Sequence, residues 1–168
     1  EVYSLAIDQQ RNRLAVGTSH GVIHLLNVQD ARQKIATWQA HEEPNPVLSL
    51  AFAPDGAHLV SGGGDRSAKI WRVDAIDDPI ATITAQDWVR TVAISSNGQW
   101  LALGSDDRFW SLWRLNSYEN PTQVFTGAFQ ARVNAVSFNV DSSVVAAGSE
   151  DGTIQIVDLR NPKDAPIV

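Results

Sequence analysis

The sequence contains no cysteine and no methionine. Without Cys, neither a disulfide framework nor a thiolate metal site can form, which removes zinc-ribbon and iron–sulfur proteins from consideration. Uncharged apolar runs reach only the length of a strand, so no segment is expected to span a membrane. The first residues show no positively charged stretch followed by an apolar one, and we expect no signal peptide. A cytoplasmic location is expected, and the absence of Cys fits it.

Positive charge is also scarce. The 13 Lys and Arg residues are scattered and are outnumbered by 19 Asp and Glu residues, which gives a net charge of −6 at pH 7. Nucleic-acid binding relies on clustered positive charge, so we expect neither a nucleic-acid nor a membrane partner. With 168 residues, 43% of them apolar, the chain can bury one substantial core.

What the sequence does contain is an internal repeat. A 27-residue window with three short strands begins at residues 2, 47, 89 and 133, so the successive offsets are 45, 42 and 44 residues. A short fourth strand is predicted after each of the first three windows, at Lys34 to Trp38, Pro79 to Thr84, and Thr122 to Thr126. The last copy stops at Pro166-Ile167-Val168, where its own fourth strand should form. This period is typical of repeat architectures built from small sheets. We predict one all-β domain over residues 1–168, with repeats at approximately 2–46, 47–88, 89–132 and 133–168.

Two periodic features predict local backbone structure. The fourth and sixth positions of each opening strand share a face, but the first position is out of phase, which predicts a β-bulge. Each second strand closes with a glycine, which indicates unusual φ or a close chain approach: Gly17, Gly62, Gly104 and Gly148. The turns Asp65-Arg66 and Asp107-Arg108 are less regular, because Arg is strained at positive φ. These turns either take another type, which we favour, or hold Arg for a purpose.

A four-stranded antiparallel sheet has two faces and cannot bury both alone. Stacking such sheets radially around an axis covers them and leaves only short edges. Burying one Leu or Phe contributes roughly 1.5–3 kcal/mol, so we predict that most of the stability lies between neighbouring sheets.

The second repeat contains five segments that belong to a known pattern: Ala40-His41, Ala53-Pro54-Asp55-Gly56, Ser61-Gly62, Asp65 and Ile70-Trp71-Arg72-Val73. On these residues the sequence resembles the WD-repeat β-propeller family, whose usual signature is a Gly-His pair before the first strand and a Trp-Asp pair ending the third. The pairs Trp71-Arg72, Trp113-Arg114 and Val157-Asp158 each keep only part of the signature. The resemblance implies four-stranded antiparallel blades, the last one incomplete, and a structural tetrad in the second blade alone: His41, Ser61, Asp65 and Trp71.

Four blades raise the question of closure. Members of the family often have seven blades, so the chain resembles part of a propeller. It is expected either to be a segment of a larger ring or to self-associate through its open edge blades, two copies giving eight blades, since unpaired edges are sticky. A closed ring of four blades is the least favoured arrangement.

The sequence gives little sign of catalytic chemistry. Its four histidines, His20, His24, His41 and His58, fall at different register positions and are not predicted to converge. No paired metal-binding histidines, phosphate-binding loop or nucleophile elbow is present. We predict no catalytic residue, no metal site and no cofactor.

The resemblance implies a non-enzymatic protein–protein interaction scaffold, or a sensor module in signalling, that presents propeller loops to a protein or peptide. The alternative is a propeller hydrolase or lyase with its site at the central channel. In the family, the loops before the first strands and the turns after the second strands share the face that most often meets partners. Mapped onto this sequence, that face gives nine candidate partner-binding residues: Glu42, Glu43, Arg66, Trp88, Arg90, Arg108, Phe129, Arg132 and Asn134. Aromatic and Arg side chains dominate binding hot spots, although Trp88 could instead cover a neighbouring blade.

Overall fold

The computed structural model of the chain describes residues 1–30, 33–164 and 166–167, and these residues form fifteen β-strands. The strands make four antiparallel sheets, which we number as blades 1 to 4 in chain order, and this confirms the predicted all-β propeller fold. Across those residues the fold contains no helix long and apolar enough to cross a membrane.

Each blade is a meander whose strands pair in chain order. Blade 1 contains β1 (Val2–Asp8), β2 (Arg13–Thr18), β3 (Val22–Asn27) and β4 (Lys34–Gln39). Blade 2 contains β5 (Val47–Phe52), β6 (His58–Gly63), β7 (Ser67–Arg72) and β8 (Ala81–Thr84). Blade 3 contains β9 (Val89–Ile94), β10 (Trp100–Ser105), β11 (Phe109–Arg114) and β12 (Thr122–Ala128). Blade 4 contains β13 (Val133–Phe138), β14 (Val144–Ser149) and β15 (Ile154–Asp158).

The fourth strand of blade 4 is represented by a single bridge in the described residues. Ile167 pairs with Ile156 of β15, and the two residues exchange both backbone hydrogen bonds, at 2.9 and 3.0 Å. Val168, at which the predicted position of this strand ends, lies outside the described residues.

The predicted β-bulges are confirmed in all four blades. Register shifts separate Val2 from Ser4, Val47 from Ser49 and Val133 from Ala135, and blade 3 has the equivalent shift at Val89. The extra residue turns the first position of each opening strand onto the opposite face from its sequence parity. As a result Val47, Val89 and Val133 are almost fully buried.

The core is divided among the three contacts between neighbouring blades. One apolar cluster joins blades 1 and 2 around Ile23, Trp38 and Trp71, and a second joins blades 2 and 3 around Ile70 and Leu101. The third cluster joins blades 3 and 4 and includes Trp100, Trp110 and Leu112. Both faces of a thin sheet must be covered, and the buried apolar residues lie in these contacts. That most of the stability lies there stays a prediction.

The periodic glycines mark close approach between blades, which decides between the two predicted explanations. A Cβ atom added to Gly17 would lie 2.7 Å from the side chain of Val47, and one added to Gly104 would lie equally close to Val133. At Gly62 the nearest atom, 2.8 Å away, is the carbonyl oxygen of Val89. These three glycines therefore make room for the first residue of the next blade, whereas a Cβ added to Gly148 would meet only Ile154, at 3.8 Å.

The turns between second and third strands share one backbone shape. Gly21, Arg66, Arg108 and Gly152 align in the repeat, and their φ angles are +74°, +65°, +75° and +84°. The expectation that Arg66 and Arg108 avoid positive φ through another turn type is therefore wrong. Hairpin pairing fixes the turn, and the two arginines accept a conformation that suits glycine.

The two end faces of the arc differ from the inner ones. Leu5 is 59% exposed, whereas the residues at its aligned positions, Leu50, Val92 and Val136, are each at most 8% exposed. At the other end Ile154 is 55% exposed, although its counterpart Trp110 is buried. Blade 1 and blade 4 therefore each leave one apolar face uncovered.

Candidate interaction face and an interblade groove

The loops before the first strands and the turns after the second strands lie at one end of the blades, which we call the loop face. Trp88, in the loop before β9, is 41% exposed there. Its backbone N–H donates to Asp87 Oδ1 at 2.8 Å, and its carbonyl accepts the N–H of Asp106 at 3.0 Å. Trp88 thus presents its indole from a loop whose backbone is tied to the β10–β11 turn.

Arg90 is held rigidly beside this loop. Its Nε and Nη2 atoms each donate to one oxygen of Asp106 at 2.6 Å, which is the paired geometry that guanidinium and carboxylate groups favour. The hydrogen bonds with Asp106 raise the pKa of Arg90 above its ordinary value. Its charge is therefore neutralised locally, and Arg90 acts first as a support for the loop face.

Other predicted residues on this face are exposed, with different partners. Arg66 and Arg108 stand at the turn tips and, within the described residues, their side chains make no hydrogen bond or ion pair. Arg132 donates to Glu150 at 3.0 Å. Glu42, Glu43 and Asn134 point to solvent.

The prediction that Phe129 contacts a partner is wrong. Its side chain is 7% exposed and belongs to the apolar cluster between blades 3 and 4. Its backbone N–H donates to the carbonyl of Arg108 at 3.0 Å, which fixes the loop in the orientation that buries the ring. Phe129 therefore supports the loop face from beneath and is not available to a partner.

The tetrad residues of blade 2 form one chain of hydrogen bonds. Trp71 Nε1 donates to Ser61 Oγ at 2.9 Å, and Ser61 Oγ lies 2.8 Å from His41 Nε2. His41 Nδ1 lies 2.8 Å from Asp65 Oδ1, and since a carboxylate only accepts, Nδ1 carries the proton. Every polar atom in the chain has a partner, so the network stabilises its blade.

The carboxylate at the end of this chain is stabilised as an anion. Burial raises the pKa of Asp65, but hydrogen bonds from His41 and Ser67 and the charge of Lys69 outweigh burial and hold that pKa well below its ordinary value. Ser67 Oγ donates to Asp65 at 2.6 Å and Lys69 Nζ lies 3.2 Å away. The network is therefore built around a charged Asp65.

The order Asp65, His41, Ser61 is the carboxylate–imidazole–hydroxyl order of a catalytic triad. His41 and Ser61 are both 0% exposed, however, and the Trp71 indole donates to the same hydroxyl oxygen that would have to attack. A substrate cannot reach this group, and its role is structural.

The other three histidines lie outside the hydrogen-bond network of His41. His20 lies beside Ser19, His24 beside Thr37, and His58 beside Asp55, each on a different part of the surface. Among the described residues, no group of three or more His, Cys, Asp or Glu side chains is arranged to hold a metal ion.

Blade 3 replaces the tetrad with a groove that sequence reasoning missed. The positions aligned with the tetrad are Gln86, Leu103, Asp107 and Trp113, and all four line an open cavity of about 750 Å³ between blades 2 and 3. Ile83 of β8 and Ser111 of β11 complete its floor. We call these six residues, with the edge of β8, the interblade groove.

A family model described as "WD domain, G-beta repeat" matches residues 32–72, 77–114 and 119–158. The chain belongs to the WD-repeat family. Each matched unit spans the outer strand of one blade and the first three strands of the next, for example β4 to β7. The WD-repeat unit therefore bridges two blades and contains the contact between them.

Three curated relatives illustrate how this WD-repeat chain compares with other proteins. It is 36% identical over 73 residues, 44% of the chain, to NET1-associated nuclear protein 1 of Saccharomyces cerevisiae, of which 8% is covered. It is 41% identical over 63 residues, 38% of the chain, to DDB1- and CUL4-associated factor 13 of Dictyostelium discoideum, with 14% covered. It is 39% identical over 61 residues, 36% of the chain, to WD repeat-containing protein slp1 of Schizosaccharomyces pombe, with 12% covered. The chain thus spans a small part of the length of these relatives.

Proposed function

We propose that this WD-repeat chain is a non-enzymatic interaction module whose loop face binds a protein or peptide partner. The observation that carries the proposal is Trp88, a large aromatic side chain that is 41% exposed although its loop is fixed by hydrogen bonds. A rigid, exposed indole loses little conformational entropy when a partner covers it, which is the property of a binding hot spot.

The charged groups around Trp88 support the same function. Arg66 and Arg108 carry charges that no described side chain neutralises, and both occupy backbone conformations in which glycine would be less strained. Strained residues concentrate at functional sites. Two such arginines on the loop face would complement acidic groups of a partner.

The names of two relatives point in the same direction. NET1-associated nuclear protein 1 and DDB1- and CUL4-associated factor 13 are both named for association with other proteins. An association role is what we propose for this chain, with a partner defined by its chemistry: an apolar side chain for Trp88 and acidic groups for the two arginines.

The test is a selection of peptides from a random display library on the full chain, followed by affinity measurements on variants. Trp88→Ala should weaken the selected peptides by about tenfold or more, and leave the thermal midpoint unchanged. Val140→Ala is the matched control, because Val140 is also exposed but lies in the turn at the opposite end of blade 4; its effect should stay within about twofold.

Two results would overturn the proposal. Peptide affinity that is unchanged in Trp88→Ala would place binding elsewhere. A sharp fall of the thermal midpoint in Trp88→Ala would show that the indole covers a neighbouring blade and has a structural role.

A further inference from the structure

The interblade groove exists because the β7–β8 pair that blade 2 turns towards blade 3 has no tryptophan, whereas the corresponding pairs of blades 1 and 3 each have one. In blade 1, β3 and β4 pair Ile23 with Trp38, and in blade 3, β11 and β12 pair Trp110 with Gly127. The corresponding pair in blade 2 is Ala68 with Ile83. Each of these pairs faces the next blade, so the space that an indole fills elsewhere is open between blades 2 and 3.

The opposite wall of the groove, formed by blade 3, also has a shorter side chain at a key position. Ser111 occupies the position at which blade 2 has Lys69, whose long side chain reaches the carbonyl of Ala40 across the contact between blades 1 and 2. Gln86 is exposed, whereas its counterpart His41 is buried. Trp113 is half-buried, and its indole N–H is satisfied within the groove by Ser111 Oγ at 2.8 Å.

One rim of the groove is an unpaired strand edge. β8 is the last strand of blade 2, and among the strands of the described residues it pairs with β7 alone. The N–H of Ala85 donates to the carbonyl of Arg66 on the β7 side. Since backbone groups alternate along an antiparallel strand, the N–H and C=O groups of Thr82 and Thr84 point away from β7. An extended segment can therefore add to this edge by backbone hydrogen bonds.

The negative charge of the groove favours a peptide segment with a cationic side chain. Its charged lining residues, Asp107 and Glu119, are both carboxylates, one in the turn at the loop face and one in the β11–β12 connection at the other end. Trp113 and Phe109 add aromatic walls, and Phe109 is 46% exposed. A cation beside aromatic faces and a carboxylate is favoured by both.

We propose that the interblade groove binds an extended peptide segment as an added strand on β8, with a Lys or Arg side chain inserted between Ile83 and Trp113 towards Asp107. Backbone pairing with Thr82 and Thr84 supplies affinity, and the inserted cation supplies selectivity. The four residues of β8 are about 13 Å long, so the paired part of the peptide is about four residues. This site is separate from Trp88 and does not depend on partner binding at the loop face.

The experiment uses the full chain labelled with ¹⁵N and a pair of fluorescein-labelled hexapeptides of alternating threonine and valine. One peptide has arginine at its third position and the other has glutamate there. The arginine peptide should shift the amide signals of Thr82 and Thr84 and the indole signal of Trp113. By fluorescence anisotropy it should bind at least about threefold more tightly than the glutamate peptide.

Three variants block the site in different ways. Thr84→Pro removes an outward N–H that β7 does not use, and proline is tolerated on an edge strand. Ile83→Trp and Ser111→Lys restore side chains that fill the contact between blades 1 and 2. Each should weaken the arginine peptide by about tenfold, whereas Val140→Ala should leave its affinity unchanged.

The proposal is overturned if the arginine peptide at millimolar concentration leaves the Thr82, Thr84 and Trp113 signals in place. It is equally overturned if the glutamate peptide binds as well, or if the groove-filling variants retain full affinity. The thermal midpoints of all variants are measured in parallel. Because the three substitutions block the groove through different groups, the test still stands on the other two if one variant unfolds.

Discussion

The contact between blades 1 and 2 and the contact between blades 2 and 3 are built from the same strands at the same repeat positions, yet one is filled and the other is open. In the first, His41 and Ser61 are fully buried and Trp38 lies 5.9 Å from Trp71, ring centre to ring centre. In the second, Gln86 is exposed, and Ile83 and Trp113 both line a cavity of about 750 Å³.

The difference shows that the propeller fold does not require the tetrad. Leu103 takes the place of Ser61 in blade 3, and the Trp113 indole turns to Ser111 for its hydrogen bond. A buried polar network is stabilising when complete and harmful when half-built. In blade 3, without the serine and the histidine, Asp107 accepts the backbone N–H groups of Gln86 and Phe109, and both Asp107 and Trp113 line the groove.

The largest effect should come from removing the centre of the network. His41→Ala leaves Ser61 and the charged Asp65 without their buried partner and also opens a cavity, so the free energy of unfolding should fall by about 3 kcal/mol or more. Gln86→Ala, at the aligned position of blade 3, should change it by less than about 0.5 kcal/mol. Chemical denaturation measures both. Equal losses in the two variants would contradict the assignment of Gln86 to an open groove.

An intermediate loss of stability is expected at low pH. The pKa of Asp65 is lower in the folded chain than in the unfolded chain, so the stability that it contributes is complete above the unfolded value of about 4 and is lost as pH falls towards the folded value. Asp65→Asn should lower stability at pH 7 by roughly 1–3 kcal/mol and should make the acid decline shallower. Urea denaturation from pH 7 to pH 2.5 measures the two curves, and parallel curves would show that Asp65 is not the titrating group.

The smallest change in stability should be equal in blades 2 and 3, because their turns between the second and third strands have the same backbone conformation. Arg66→Gly and Arg108→Gly each relieve an L-residue at positive φ, and each should raise the free energy of unfolding by about 0.5–1 kcal/mol. Gly152→Arg, in the equivalent turn of blade 4, should lower it by a similar amount. Thermal unfolding monitored by circular dichroism measures the three shifts. A loss of stability in the two Arg→Gly variants would mean that the arginine side chains hold their turns.

The repeat allowed much of the fold to be predicted, because strand parity is a strict physical signal. The out-of-phase first residues such as Val47 required a bulge, and the glycines such as Gly104 required either positive φ or close approach. The tetrad candidates followed from a resemblance that was densest in blade 2, where Gly63 leaves room for the His41 ring: an added Cβ would meet that ring at 2.3 Å.

The features that could not be predicted depend on relations between strands. Phe129 is buried at the position of Ala40, and each donates its backbone N–H to the turn of its own blade, a relation that appears only once the loops are aligned by these hydrogen bonds. The interblade groove depends on the combined volume of Ala68 and Ile83, which are paired across a connection of variable length. The signal is visible in the sequence once the register is known, since neither member of that pair is a tryptophan.

The coverage of blades 2 and 3 on both sides has a consequence for local opening around Trp88. Blades 2 and 3 are each covered on both sides, whereas Leu5 in blade 1 and Ile154 in blade 4 face solvent. In a linear stack held together by nearest-neighbour contacts, an end unit can open by breaking one contact, but an inner unit must break two. Blades 2 and 3 are therefore each held by two contacts, and Trp88, in the loop between them, lies where local opening is rarest.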